Sequence, residues 1–213
     1  IFYTTSEGED LLKRVKKIIK NNKIAQIIFT GMGSSYFISY AAVNLFNDLK
    51  IHSFVINASE LLHYNSSLLN SNTLLICISQ SGESYEIKEI LKNLPKEVRC
   101  VGIVNEEKSY LANNADVALL CKGGREEMTS TKTYVLTMLV AYVLGWHLSG
   151  NWDERKVNYI KRLINNFKIL LSGYREEIDT YINFLSNIST LQIIARGPAF
   201  AAASQGALMF KEA

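Results

Sequence analysis

The sequence is poor in the residues that build disulfide scaffolds and metal centres. It contains three cysteines and three histidines among 213 residues. Cys77, Cys100 and Cys121 are far apart and odd in number, and each lies in or beside an apolar run, which is typical of reduced, buried thiols. The histidines show no metal-ligand spacing. These patterns predict a cytoplasmic protein that holds no metal.

The sequence also lacks a long apolar run and an excess of one charge. The most apolar helical segment, residues 135–148, is interrupted by polar residues and is too short to span a bilayer. Residues 1–10 lack the basic and apolar regions of a signal peptide. The 23 basic and 20 acidic residues are mixed along the chain, and no aromatic residues interleave with the lysines near its start. We therefore expect neither a membrane nor a nucleic-acid partner.

Short apolar strands alternate with helical patterns along the first 150 residues. Five strands are predicted, over residues 25–30, 53–57, 74–79, 99–104 and 117–120. Helices are predicted before and between them and over residues 130–148. This alternation requires crossover connections, so it predicts an α/β fold in which a parallel sheet is covered by helices on both faces.

The later part of the chain divides into a linker and a repeat of the opening pattern. Residues 1–150 are predicted to form a first domain with an N-terminal helix, and residues 151–188 a linker of two helices, over 156–171 and 175–185. Residues 189–213 combine a strand-like run at 191–195 with a glycine turn and a helix, which predicts the start of a second, similar domain whose remainder is absent. Alternatively, this unit docks on the first domain or on another chain.

Serines and a glycine gather where the third strand gives way to a helix, in the run Ser79-Gln80-Ser81-Gly82-Glu83-Ser84. Unpaired N–H groups at a helix N-terminus and the positive end of the helix dipole favour an anion, and hydroxyl groups can add donors. The run therefore predicts a site for a phosphorylated small molecule. The alternative is that Ser81 or Ser84 only caps the helix.

Four short motifs occur in order at strand ends and helix starts. They are Gly33-Ser34-Ser35, Ala58-Ser59-Glu60, the serine run from Ser79 to Ser84, and Ser130-Thr131-Lys132. Together they resemble the sugar isomerase (SIS) domain family over residues 10–213. The order resembles most the isomerase half of glucosamine-6-phosphate synthase and its relatives, the fructosamine-phosphate deglycases and sugar-phosphate deaminases. The resemblance implies a flavodoxin-like SIS fold and a homodimer.

The resemblance also implies roles for individual residues. The residues implied on or near the sugar phosphate are Gly33, Ser34, Ser35, Ser79, Gln80, Ser81 and Ser84. Ser130 would lie beside the sugar hydroxyls. Glu212 falls where the family places its catalytic glutamate, so it would move a proton between C1 and C2 of the sugar, without a cofactor. The alternative for Glu212 is a surface carboxylate near a chain end.

Two departures from the family pattern narrow the expected activity. Met209 stands where the synthase pattern has a lysine, which favours a deaminase or a deglycase. The chain opens Ile1-Phe2-Tyr3 and has no cysteine nucleophile there, so we expect no glutaminase activity in it.

The hypothesis is an enzyme acting on a hexosamine or fructosamine phosphate by isomerisation, with or without C–N cleavage. The alternative is a non-catalytic sensor of sugar phosphates. Residues 135–146 could form a dimer interface or a core helix.

Overall fold

A five-stranded parallel sheet forms the centre of the structure, a computed structural model that describes residues 2–126 and 129–212. The strands are β1 (Gln26–Gly31), β2 (His52–Asn57), β3 (Thr73–Ser79), β4 (Arg99–Val104) and β5 (Val117–Leu120). Their order is β2-β1-β3-β4-β5, and every pair is parallel. This is the flavodoxin-like order. The α/β prediction is therefore confirmed, and each strand begins within one residue of its predicted start.

Helices cover both faces of this sheet, as predicted. They are α1 (Ser6–Asn21), α2 (Ser34–Asn47), α3 (Ala58–His63), α4 (Tyr85–Lys92), α5 (Tyr110–Asn114), α6 (Lys132–Leu148), α7 (Glu154–Leu185) and α8 (Ala199–Glu212). One core lies between the sheet and helices α1, α2 and α6, and a second between the sheet and helices α3, α4 and α5. Every residue of β3 is buried, because this central strand has a helical layer on each side.

Helix α6 packs inside the first core. Its buried residues include Tyr134, Val140, Val143 and Leu144, and it packs closely along α2. The segment is thus a core helix, as one alternative predicted, and its role in a dimer interface stays a prediction. Because side chains around most of the circumference of α6 are buried, this helix is apolar on most of its surface.

Helix α7 differs from the sequence prediction. The two predicted linker helices form one continuous helix of 32 residues, which passes through Gly173. A single glycine costs a helix about 1 kcal/mol, which the flanking helix formers offset. Ile160 is buried in the first core, but most large apolar side chains of α7, including Leu163, Phe167 and Leu170, are exposed.

The strand predicted over residues 191–195 is wrong. Residues 191–196 form neither helix nor strand, and Ile194 is 89% exposed. The apolar run has the composition of a strand, but no described strand pairs with it, so its backbone has no ladder to join. The helix after it does form, as α8, and packs on α2. The division into a first domain, a linker and a second domain stays a prediction.

The expectations about the thiols, the membrane, the cellular location and the oligomeric state have different outcomes. Cys77, Cys100 and Cys121 are free and buried, as predicted, and burial raises the pKa of Cys121 to about 11. Within residues 2–126 and 129–212, no helix is both long and apolar enough to cross a membrane. The cytoplasmic location and the homodimer stay predictions.

Candidate functional site

The crevice at the carboxyl edge of the sheet lies between β1 and β3. The chain leaves β1 toward β2 on one side and later returns to β3 on the other, so the loops that follow β1 and β3 run in opposite directions. Ligands of doubly wound sheets bind at this switch point. The ends of β1 and β3 are close together. A Cβ added to Gly31 would lie 2.8 Å from the carbonyl oxygen of Ile78. The motif Gly33-Ser34-Ser35 and the serine loop, residues 79–84, therefore border one crevice.

The serine loop is organised by its own hydroxyl groups. Ser79 is buried, and its Oγ accepts a hydrogen bond from the N–H of Gly82 at 3.0 Å and lies 3.0 Å from Ser84 Oγ. Ser81 Oγ accepts from the N–H of Glu83 at 3.2 Å. The carbonyl of Gln80 accepts from the N–H of Asn105 at 3.1 Å, which ties the loop to the end of β4. Ser79 and Ser81 thus hold the shape of the loop as well as bordering the crevice.

Gly82 allows the loop to turn sharply against β4 and α5. Its φ of +67° lies in the left-handed region that favours glycine. A Cβ at this position would overlap Ser109 Oγ. It would also lie 2.5 Å from Ser109 Cβ and 2.9 Å from Val104 Cγ2. Both neighbours are buried. The position therefore excludes a side chain both by backbone conformation and by close packing.

The helices that start at the crevice lack the side-chain caps found elsewhere in the fold. The side chains that cap other helices, namely those of α1, α3, α5 and α7, are Thr5, Asn57, Ser109 and Asp153. No side-chain capping bond is made to α2 or α4. Ser84 occupies the N-cap position of α4, but its hydroxyl pairs with Ser79 instead. The positive ends of both helices therefore have no side-chain partner, although at α2 the N–H groups of Ser35 and Tyr36 donate to the carbonyl of Met32.

The N-terminus of α6 is, in contrast, occupied by a carboxylate. Glu126 accepts hydrogen bonds from the N–H groups of Thr133 at 2.9 Å and Thr131 at 3.3 Å, and from both hydroxyls. Burial raises the pKa of Glu126, but these bonds outweigh it, so the pKa lies below its usual range. The neighbouring Ser130 has its Oγ 3.1 Å from Thr133 Oγ1. This helix end is already neutralised, so Ser130 suits a neutral hydroxyl group better than a phosphate.

Helix α8 lies across the same edge of the sheet. Its Gln205 donates a hydrogen bond from Nε2 to the carbonyl of Ser130 at 3.3 Å, and Tyr134 donates from its hydroxyl to the carbonyl of Ala201 at 3.1 Å. Leu208 Cδ2 would be 4.0 Å from a Cβ at Gly33. Glu212 is four residues after Leu208 and shares its face, about 6 Å further along the axis. Its side chain is exposed.

Comparison with known proteins agrees with this geometry. The profile of the SIS domain matches residues 18–145, which include β1 to β5 and most of α6. The chain belongs to the SIS domain family.

Relatives of this SIS domain include much longer proteins. The chain is 31% identical over 215 residues to glutamine–fructose-6-phosphate aminotransferase (isomerizing) of Methanothermobacter thermautotrophicus, covering 98% of this chain and 34% of that protein. It is 32% identical over 196 residues to the enzyme of the same name from Pyrococcus horikoshii, covering 89% of this chain and 33% of that one. The chain thus spans about a third of the length of these curated relatives.

Solved structures share the SIS fold. The C-terminal domain of glucosamine-fructose-6-phosphate aminotransferase from Francisella tularensis matches with a TM-score of 0.77 and 25% identity, over 94% of this chain and 58% of that chain. Tagatose-6-phosphate ketose/aldose isomerase from Escherichia coli matches with a TM-score of 0.72 and 17% identity, over 94% of this chain and 57% of that chain. The second likeness supports the fold alone.

Three polar residues of this SIS domain border the crevice or its loops and were missed from the sequence. Asn105 directly follows β4, and its side chain accepts from the N–H of Gly123 at 2.7 Å and donates to the carbonyl of Gly124 at 2.8 Å. A polar residue at a strand end was a usable signal for Asn105. Glu126 and Gln205 gave no such signal, because their partners depend on how α6 and α8 pack. In the described ranges, no three His, Cys, Asp or Glu residues are grouped to hold a metal ion.

Proposed function

We propose that this chain is the phosphosugar-binding part of an enzyme that acts on a hexosamine or fructosamine phosphate. One observation carries the proposal: the N-termini of α2 and α4, both without side-chain caps, lie at the switch point of the sheet. Two positive helix ends at one crevice favour a doubly charged phosphate. Membership of the SIS family and the names of the relatives support a sugar as the rest of the ligand.

The proposed phosphate site combines the two loops that border the crevice. The residues assigned to it are Gly33, Ser34, Ser35, Ser79, Gln80, Ser81 and Ser84. Ser34 and Ser35 begin α2, and Ser84 is the N-cap of α4, so hydroxyls come from both sides. The N–H of Ser35 already donates to the carbonyl of Met32, so we assign backbone donation mainly to the start of α4. Because Ser79 and Ser81 already accept bonds from loop N–H groups, their hydroxyl hydrogens can be directed to the phosphate. Glu83 does not oppose the anion, since it accepts from the N–H of Tyr110 and pairs with Lys88.

We propose Glu212 as the base that moves a proton between C1 and C2 of the sugar. Interconversion of an aldose and a ketose requires a group that removes a proton beside a carbonyl or imine and returns it to the neighbouring carbon, which a carboxylate can do. The phosphate is remote from those carbons, so its binding energy holds the sugar in register. The place of Glu212 on the face of α8 that includes Leu208, which approaches Gly33, supports this role, and we assign Ser130 to the sugar hydroxyls.

Met209 narrows the range of candidate reactions. A methionine cannot transfer protons, so the absence of a lysine there favours a deaminase or a deglycase over the synthase-type isomerase. The exposure of Glu212 favours a second candidate, a sensor that binds the sugar phosphate without turning it over. In that case the serine loop would have the same ligand but no chemistry would follow.

Thermal stabilisation by sugar phosphates tests the proposed ligand class. At a ligand concentration of 100 times Kd we expect stabilisation of about 2.7 kcal/mol, which for a chain of this size raises Tm by roughly 5–11 °C. Unphosphorylated hexoses should raise Tm far less. Ser84→Ala should weaken the response to every phosphate, because it removes a hydroxyl at the start of α4, whereas Ser186→Ala, at an exposed position, should not.

Equal shifts from phosphorylated and unphosphorylated sugars would contradict the phosphate site. An unchanged response of the Ser84→Ala variant would remove that residue from the site while leaving the ligand class intact.

A further inference from the structure

Gln205 is a buried residue whose side-chain amide forms a hydrogen bond through its nitrogen but not through its oxygen, among the residues that the structure describes. Only 8% of the residue is exposed. Its Nε2 donates to the carbonyl of Ser130 at 3.3 Å, whereas its Oε1 has no hydrogen-bond partner among residues 2–126 and 129–212. Leaving a buried acceptor unpaired is unfavourable, so such an atom in a native protein calls for an explanation.

The orientation of this amide is fixed by its surroundings. Rotating it by 180° would place Oε1 against the carbonyl of Ser130, and two acceptors cannot bond to each other. The helix cannot turn either, because residues on the same face of α8 are engaged on both sides of Gln205. The carbonyl of Ala201 accepts from Tyr134, and Leu208 lies against Gly33. Oε1 is therefore a preset hydrogen-bond acceptor.

The position of Gln205 is between the two parts of the proposed site. Gln205 contacts Ser130, just before α6, and one turn further along α8 Leu208 approaches Gly33 at the start of α2. Glu212, the proposed base, lies on the same face two turns further along α8. A sugar whose phosphate occupies the serine loop would direct its other carbons toward this region.

We propose that Gln205 Oε1 accepts a hydrogen bond from a hydroxyl or amino group on the sugar part of the ligand. Gln205 is then a specificity-determining residue, and this inference rests on the proposed function. A neutral amide oxygen accepts from O–H and N–H groups without requiring a full positive charge. A site with a buried acceptor discriminates strongly against analogues that lack the donor.

Calorimetric titration of wild type and Gln205→Met tests the inference. Methionine has a similar volume but offers neither the donor nor the amide oxygen. We expect Kd for hexose 6-phosphates and their amino derivatives to rise about tenfold, and Kd for inorganic phosphate to stay within about twofold. The matched control is Gln192→Met, the same substitution at an exposed position, which should leave every Kd unchanged.

A second measurement needs no variant. In the wild-type protein, the side-chain ¹⁵N–H resonances of Gln205 should shift on addition of a hexose 6-phosphate but not on addition of inorganic phosphate. The inference is overturned if neither the resonances nor the sugar-phosphate Kd respond, as expected when a buried water satisfies Oε1. It is also overturned if Gln205→Met raises the Kd for inorganic phosphate as much as the Kd for sugar phosphates, because that result would indicate a structural role. Failure of the wild type to bind any sugar phosphate would instead overturn the proposed function, and this inference with it.

Discussion

Replacement of Glu212 by glutamine is expected to reduce turnover of the sugar phosphate by a factor of about 10² to 10⁴, the range that general acid–base groups contribute. Glutamine keeps the shape of the side chain but cannot accept the proton that must leave the sugar carbon. Because the proposed phosphate contacts come from the serine loop and the Gly33 loop, the Kd for the sugar phosphate should change by less than about twofold. Steady-state rates and calorimetric titration of the protein that carries this chain provide the two measurements.

The control for Glu212→Gln is Glu177→Gln, the same substitution at an exposed position of α7. It should leave both the rate and the Kd unchanged. Wild-type turnover in the Glu212→Gln variant would remove the catalytic assignment. Sugar-phosphate binding by the wild type without turnover of any hexosamine or fructosamine phosphate would instead favour the sensor.

Gly82→Ala is the second variant for which we expect a large effect. Its Cβ would lie 2.5 Å from Ser109 Cβ and 2.9 Å from Val104 Cγ2, and an alanine at φ +67° is strained in any surroundings. Backbone strain and overpacking each cost about 1–3 kcal/mol, so the free energy of unfolding should fall by about 2–6 kcal/mol. The serine loop would also be displaced. Urea denaturation and phosphate titration measure the two effects.

Gly150→Ala separates the strain from the packing. Gly150 has a φ of +75°, but an added Cβ would have nothing within 4 Å. The free energy of unfolding of this variant should fall by only about 1 kcal/mol, because the backbone strain is similar but the added Cβ overlaps no neighbouring atom. Equal losses in the two variants would contradict the role of the close contact between the serine loop and Ser109.

The sheet and the edge that carries the site could be predicted because their signals are local. The runs over residues 74–78 and 100–104 have no charged or hydroxyl side chain, since these central strands are buried on both faces. Serines and glycine after the first and third strands marked the loops at the carboxyl edge. In a parallel sheet these loops must gather at one end, so position along the chain was enough to bring them together.

The remaining features depend on contacts that no local pattern encodes. The run at 191–195 has strand composition, but a strand exists only if a partner backbone lies beside it. Glu126 caps α6 from a loop several residues earlier, and Gln205 reaches Ser130 across 75 positions of the chain. The uncapped starts of α2 and α4 were visible only by comparison with the capped helices around them. Sequence reasoning located the loops at the carboxyl edge of the sheet and missed the contacts that depend on helix packing.

The most direct test of the central claim is to map the amide ¹⁵N–H resonances of the protein during titration with a hexose 6-phosphate and with inorganic phosphate. Both ligands should shift the amides of the serine loop, of the first turn of α4 and of Ser34 and Ser35, because both carry the phosphate group that we propose binds at the two helix N-termini. Shifts confined to another surface, with residues 79–84 unaffected by either ligand, would contradict the account.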